Sequence, residues 1–300
     1  MAVKETAENC RKSGRPFSVA GVLKSLGVSL SGYKSFLKWK LPEQKKKKAE
    51  VQQQITEIHK DSRQIYGAPK IAKELKKKGY GTSERTVSVY MKEMGLKACW
   101  IKKWHAVPKV KLDSTKLKNL LKQKFNPKRP DAVWCTDITY IWTSEGFMYL
   151  STIMDLFSRK IIAWELSRTM EEEFVIKTVE KAKTERKIKR PLIIHSDRGS
   201  HYKADAYIKA TEKMKRSYSK VHYPYDNACI ESFHSLIKRE WLYRFQIQGY
   251  EHCRSLVFEY IETFFYNTKR IHSHCGFTSP NEYEAKFQNK NSAVRYKKAV

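Results

Sequence analysis

No run in the 300 residues reaches about 18 consecutive apolar positions, so a membrane-spanning helix is not expected. The opening stretch lacks the apolar core of a secretory leader, and a secreted product is not expected either. Six cysteines, at 10, 99, 135, 229, 253 and 275, include no C-x-x-C pair, which points to reduced thiols in a cytosolic protein and away from disulfides or a zinc finger. Acidic residues are scarce: 31 Asp and Glu face 60 Lys and Arg and leave a net charge of +29. That excess exceeds what solubility needs and implies a polyanionic partner, with an anionic membrane surface as the competing reading.

What is present is unevenly placed. Residues 1–130 hold 32 basic and 10 acidic side chains, whereas residues 131–300 hold 28 and 21. The first part is Lys-rich and helical; the second carries most of the aromatic and β-branched runs. A join is expected near 125–131, where Pro127 and Pro130 stand. Four segments follow: a helix-turn-helix-like and helical segment over 1–60, a second helix-turn-helix-like unit over 61–98, a basic linker over 99–130 and a strand-rich segment with C-terminal helices over 131–290.

In the first segment, residues 19–27 and 28–39 read as two helices around Gly27, with Ser29 or Ser31 as cap and Leu23, Leu26, Val28, Tyr33, Phe36 and Leu37 as a small core. In the second, Pro69 suits a first turn, Gly79 a C-terminal cap and Ser83 the cap of the next helix. Either passage could be an ordinary helical hairpin. The Lys-rich polar face makes the second a candidate for phosphate contact through Lys76, Lys77, Arg85 and Lys92, and Lys102 and Lys103 extend that expectation into the linker. The Lys45 to Lys48 run reads as a solvated helix face or hinge.

Beyond residue 132 the pattern turns to strands. Residues 133–142, 147–154 and 160–166 can pair as a meander, a helix over 171–183 follows, and 191–195 is a fourth strand, so an α/β layer with a mixed sheet is expected. Asp137 lies inside the first strand among Trp134, Ile138 and Ile141, where a carboxylate is costly unless paired or bound to metal. Asp197 stands just past the fourth strand. Glu231 sits on a helix over 227–243, in a stripe with Asn227, Ser235 and Lys238, opposite an apolar stripe of Ile230, Phe233, Ile237 and Trp241. Three oxygen donors of this kind suit Mg²⁺, with Mn²⁺ able to substitute. Two ions about 4 Å apart would activate a water or 3′-hydroxyl and stabilise the leaving oxygen. Helix capping or pairing with Lys is the bland alternative for any one acid.

Several motifs, in order, carry a resemblance. Trp134-Cys-Thr-Asp-Ile-Thr-Tyr140, Asp155 in Met154-Asp-Leu-Phe-Ser-Arg159, His195-Ser-Asp-Arg-Gly-Ser200 with Tyr202, and Tyr225-Asp-Asn-Ala-Cys-Ile-Glu-Ser-Phe233 resemble the retroviral-integrase-like transposases of bacterial insertion sequences, and more narrowly their downstream-frame product. The likeness extends to Tyr66-Gly67, Met94-Gly95-Leu96 and a tail of Tyr266, Asn267, Arg270, His272, Gly276 and Ser279 to Tyr283. It implies a ribonuclease H-like integrase core preceded by small all-α helix-turn-helix-like units, with Asp137, Asp197 and Glu231 as catalytic metal ligands. It also implies DNA contact by Lys238, and Asn227 on the same helical stripe is expected at the DNA with it. The resemblance further implies double-stranded DNA as partner at element ends and target, assembly as a homo-oligomer on DNA, an upstream-frame protein or fusion as further partner, and a bacterial cytoplasmic, nucleoid-associated location. Asp155 reads as turn-forming and His195 as an orienting or core histidine. Two departures stand out: 33 residues separate Asp197 from Glu231 where the family usually has 35, and Lys220-Val-His-Tyr-Pro-Tyr225 replaces the usual Arg-Lys-Gly-Asn-Cys-Tyr.

The function expected is strand cleavage and transfer at insertion-sequence ends. A non-enzymatic DNA-binding regulator would need the basic first part but not the acids. A ribonuclease H-type hydrolase would share the acids but have no use for the basic helical units.

Overall fold

The computed structural model describes residues 2–13, 17–38, 43–99, 117–220 and 223–298. The chain forms two compact units, Met1–Thr56 and Glu57–Val300. Among the described residues no helix is long and apolar enough to cross a membrane, and the six cysteines are free thiols.

The first unit contains α1 (Ala2–Lys12), α2 (Val19–Ser25), α3 (Leu30–Lys38) and most of α4 (Glu43–Asp61). Ser18 and Ser29 cap α2 and α3 by accepting from the Gly21 and Gly32 amides, each at 3.1 Å, and Gly27 turns the chain between them at φ +68°. The expected small core is only partly formed. Leu23 is buried, whereas Leu26, Val28, Phe36 and Leu37 are exposed, because helices of seven and nine residues offer too little surface to cover them.

In the second unit, α5 (Ala68–Lys77) and α6 (Glu84–Glu93) form the second helical pair with the punctuation the sequence predicts. Gly79 adopts φ +89°, Tyr80 N–H closes the helix on the Leu75 carbonyl at 2.9 Å, and Ser83 accepts from the Thr86 amide. Ile71, Leu75, Val87 and Met91 are buried between the helices. The pair clusters with the sheet instead of standing apart at a join near 125–131. Its Tyr66 hydroxyl accepts from Ile271 N–H and donates to the Lys269 carbonyl, both at 3.1 Å. The described end of the linker is also packed: Leu120 and Leu121 amides donate to Ser217 Oγ, and Arg159, at φ +62°, donates to the Phe125 carbonyl.

The sheet has the order β3-β2-β1-β4-β5, with β1 (Val133–Thr143), β2 (Gly146–Asp155), β3 (Ile161–Ser167), β4 (Ile193–Ser196) and β5 (Lys215–Tyr218). The first three strands form the antiparallel meander; β4 and β5 are parallel to β1. Parallel pairing of β1 with β4 runs only from Val133 to Cys135. Side chains alternate along β1. Trp134 and Ile138 join the core beneath α7 (Glu172–Arg186) and α8 (Asp205–Ala210), with Phe174, Val175, Val179 and Tyr207. Burial of such side chains contributes about 1.5–3 kcal/mol each. The odd-numbered face meets α9 (Ala228–Glu240) and α10 (Tyr250–Phe258), and Ile230, Phe233, Ile237 and Trp241 are buried as their spacing predicts.

The tail motif holds this layer in place. Asn267 accepts from Ile161 N–H and donates to its carbonyl, pinning the start of β3. Glu284 on α11 (Pro280–Lys298) takes two bonds from Arg186 and one from Ser158. Arg270 clasps Glu240, at the end of α9, through bonds of 2.8 and 2.7 Å, and Tyr260 adds a third. Burial alone would push the Glu240 carboxyl up; the Arg270 guanidinium overrides it and holds the group below the ordinary range. Arg270→Met should therefore cost about 3–5 kcal/mol in urea denaturation, because it strands a buried carboxylate, and adding Glu240→Leu should recover most of that loss. Lys177→Ala, which breaks only an exposed pair with Glu173, should leave the midpoint unmoved.

Candidate active site

Asp137 stands on β1 two residues beyond its last pair with β4. Asp197 follows the end of β4, where its Oδ1 accepts from Gly199 N–H at 2.9 Å and holds the turn. Glu231 lies in the first turn of α9, the helix packed on β1. The fold thus brings one carboxylate from each of three elements to one end of the β1–β4 pair.

Their electrostatics record the proximity. Loss of solvent together with the charges of Asp137 and Asp197 pushes the Glu231 carboxyl up to about 7, although the side chain opens to the surface. Asp197 is likewise raised, by burial first and then by Asp137, against the bond from Gly199. The charged groups acting most strongly on Glu231 are both acidic. Among the described residues no three His, Cys, Asp or Glu side chains close into a metal-holding group. Lys203 acts on Asp197 and Lys238 on Asp137 without offsetting the rise at Asp197 or Glu231, and an all-oxygen donor set of this kind fits a hard divalent cation.

Around the acids lie groups that the sequence reading placed differently or passed over. His234, three residues beyond Glu231, bridges the layers: Nδ1 is 3.4 Å from Asp137 Oδ2 and Nε2 is 2.8 Å from Thr152 Oγ1 on β2. Its position beside the apolar stripe was the available signal. Asn227, expected at the DNA, is 2% exposed and donates to the Thr136 carbonyl at 3.3 Å. The turn Pro224–Asn227 leads it into α9 buried, so it supports β1 beside Asp137 from within and not at the surface. Lys238 is half-buried, two turns beyond Glu231; burial lowers its pKa and Asp137 opposes the shift.

Two expectations for neighbouring residues hold. His195 is wholly buried, with Ser217 and Ser219 hydroxyls at 2.8 and 3.1 Å from its nitrogens, and burial pushes it down to about 4. Asp155 accepts from the Asp131 and Phe157 amides and shapes the turn after β2. On the helical pair, Lys76, Lys77, Arg85 and Lys92 are exposed, and Lys77 is paired with Glu74 at 2.9 Å. Lys102 and Lys103 lie outside the described residues.

A mixed sheet with one acid inside β1, one just past the end of β4 and one on the covering helix defines an integrase-type, ribonuclease H-like core. Models of the integrase core domain match residues 127–224 and 212–280, and an HTH-like domain matches residues 45–104. The chain is 33% identical over 281 residues to the transposase InsF of insertion sequence IS3A from Escherichia coli K12, covering 90% of this chain and 95% of that protein. It is 34% identical over 236 residues to the transposase of element IS904 from Lactococcus lactis IL1403, covering 78% and 93%. A chain of the simian T-cell lymphotropic virus intasome, solved with a PP2A regulatory subunit, aligns at a TM-score of 0.44 and 14% identity over 77% of this chain and 74% of its own. The chain belongs to the insertion-sequence transposases that InsF represents, and it is a DNA-binding transposase.

The repulsion at Glu231 has a measurable consequence. Its carboxyl is raised above the ordinary 4.5, so the ionised form opposes folding: the cost is absent below 4.5 and complete once the pH has risen through about 7. In metal-free protein Glu231→Gln should raise stability at about pH 8 by roughly 1 kcal/mol, after allowance for solvent screening, and leave it unchanged at about pH 4. Equal urea midpoints for the two proteins at both pH values would contradict mutual repulsion among the acids.

Proposed function

We propose that Asp137, Asp197 and Glu231 hold Mg²⁺, two ions with Mn²⁺ as substitute, and that the chain cleaves a DNA strand at an insertion-sequence end and joins the new 3′-hydroxyl to target DNA. The observation that carries this reading is the set of three acids from β1, the end of β4 and α9, each raised or raising another, in a chain of this family. When bound, the cations lower the pKa of the attacking hydroxyl and stabilise the leaving oxygen. The chain's own residues do the rest. Asp137 and Glu231 are fixed on rigid elements, and the Gly199 amide holds Asp197 at its turn. His234 restrains Asp137 against β2. Lys238 offers positive charge to a phosphate on the same helix face as Glu231, and the exposed bases of α5 and α6 follow the duplex backbone. Joining two ends calls for at least two copies on DNA, and an upstream-frame protein or fusion would add end recognition. The same reading assigns the protein to bacterial DNA in the cytoplasm.

Asp137→Asn, Asp197→Asn and Glu231→Gln should each abolish cleavage and joining with Mg²⁺ or Mn²⁺ while duplex binding stays within about threefold, since lost negative charge does not weaken phosphate attraction. Wild-type cleavage rates in any two of these variants would overturn the assignment. In the same assays at matched salt, Lys238→Ala should reduce end binding or joining more than Lys183→Ala; equal small effects would leave Lys238 a solvated lysine.

A further inference from the structure

Pairing of β1 with β4 ends at Cys135, and among the described residues no strand covers that edge of β1 from Thr136 onward. The end of α9 and the turn Leu242–Arg244 stand across from the open edge. Between them lies a cleft of about 390 Å³ lined by Tyr140, Trp142, Lys238, Tyr243 and Phe245, with Ile141 and Leu242 as a buried floor. Tyr140, Trp142 and Tyr243 are 60%, 66% and 67% exposed, an unusual amount of aromatic surface to leave in water. Phe147 on β2 braces the first two edge-on, with ring centroids at 5.3 and 4.8 Å, so the rings are held and not floppy. Lys238 Nζ sits 4.4 Å from the Tyr140 ring centroid and already feels the charge of Asp137.

We propose that this cleft receives an unstacked nucleobase from the DNA strand whose phosphodiester lies at the acids. The inference rests on the cleavage reading above and adds to it a place for the bases beside the reacting phosphate. Rigid aromatic faces next to a cation are the chemistry that replaces base stacking, and they accept any base because every base has a π-face. On the even-numbered face opposite Asp137, Tyr140 and Trp142 meet Lys238 of α9 round the open edge of β1. They lie three and five residues along the strand from Asp137, roughly 10 and 17 Å at strand rise. That is about three to five stacked steps at roughly 3.4 Å each, so the cleft serves nucleotides close to the cut. Charge selects the occupant: Lys238 in the cleft and the net charge of +29 draw in a polyanion and give an added strand from a second copy nothing in return. Opening the duplex loses stacking, and the cleft returns it, which favours ends already frayed or unpaired.

The test uses the full chain without divalent metal at fixed salt, with a blunt duplex of about 30 base pairs and the same duplex carrying about five unpaired nucleotides that include 2-aminopurine. The wild type should bind the second probe about fivefold more tightly than the first and quench its 2-aminopurine emission. Trp142→Ala with Tyr243→Ala should remove both the preference and the quenching while blunt-duplex affinity stays within about twofold, and Trp142→Phe should keep both. No preference in the wild type, or preference and quenching retained in the double variant, would overturn the proposal. So would a double variant with unchanged DNA behaviour but a smaller assembly by light scattering, which would assign the cleft to a protein partner. Failure of the cleavage reading is separately visible, because it shows in metal-dependent cleavage by Asp137→Asn and not in this metal-free binding.

Discussion

The parallel pairing of β1 with β4 stops at Cys135 and His195, and the active end of the molecule depends on that stop. Before it, both strands are sealed in the core, with His195 locked to β5 through Ser217 and Ser219. Beyond it the strands diverge. Asp137 emerges on one and Asp197 at the end of the other, while α9 lays Glu231 beside them. Three like charges gathered in this way oppose one another, and the surrounding core carries the strain: α9 is held by its apolar stripe and, at its far end, by the buried Arg270 and Glu240 pair. The same termination leaves the edge of β1 open and creates the aromatic cleft.

Several residues that mark the family by sequence turn out to build the frame. Asp155 and Arg159 shape the turn after β2, Asn267 pins β3, and Asp226 accepts from Asn119, Gln123 and the Lys220 amide to fasten the segment before α9. Tyr66 ties the second helical pair to the tail. Asn267, Asp226 and Tyr66 are buried polar groups with partners about a hundred or more residues away in sequence, so each fixes a relation between elements, whereas the bonds of Asp155 and Arg159 are local to their turn.

Much of this was legible in the sequence because it rests on local periodicity. The meander, α7 and the apolar stripe of α9 follow from alternation and helical spacing, and the caps at Ser29 and Ser83 from their residue types. The strand β5 is not legible in the sequence: Lys215–Tyr218 is four residues long and reads as polar, and its inward Ser217 has meaning only against His195 and the 120–121 amides. The helical stripe shared with Glu231 points Asn227 to the DNA, yet the turn before α9 rolls it inward. The exposure of Leu26 and Phe36, the reach of His234 to Asp137 and the open edge beside Tyr140 are likewise set by what does or does not pack there, which spacing alone does not encode.

The central claim is that the three acids form a divalent-metal centre. Anomalous scattering from crystals of the full chain soaked in Mn²⁺ tests it most directly. The account predicts anomalous density at the carboxylates of Asp137, Asp197 and Glu231, lost in Asp197→Asn crystals. Density at other residues only, or none there at saturating Mn²⁺, would contradict it.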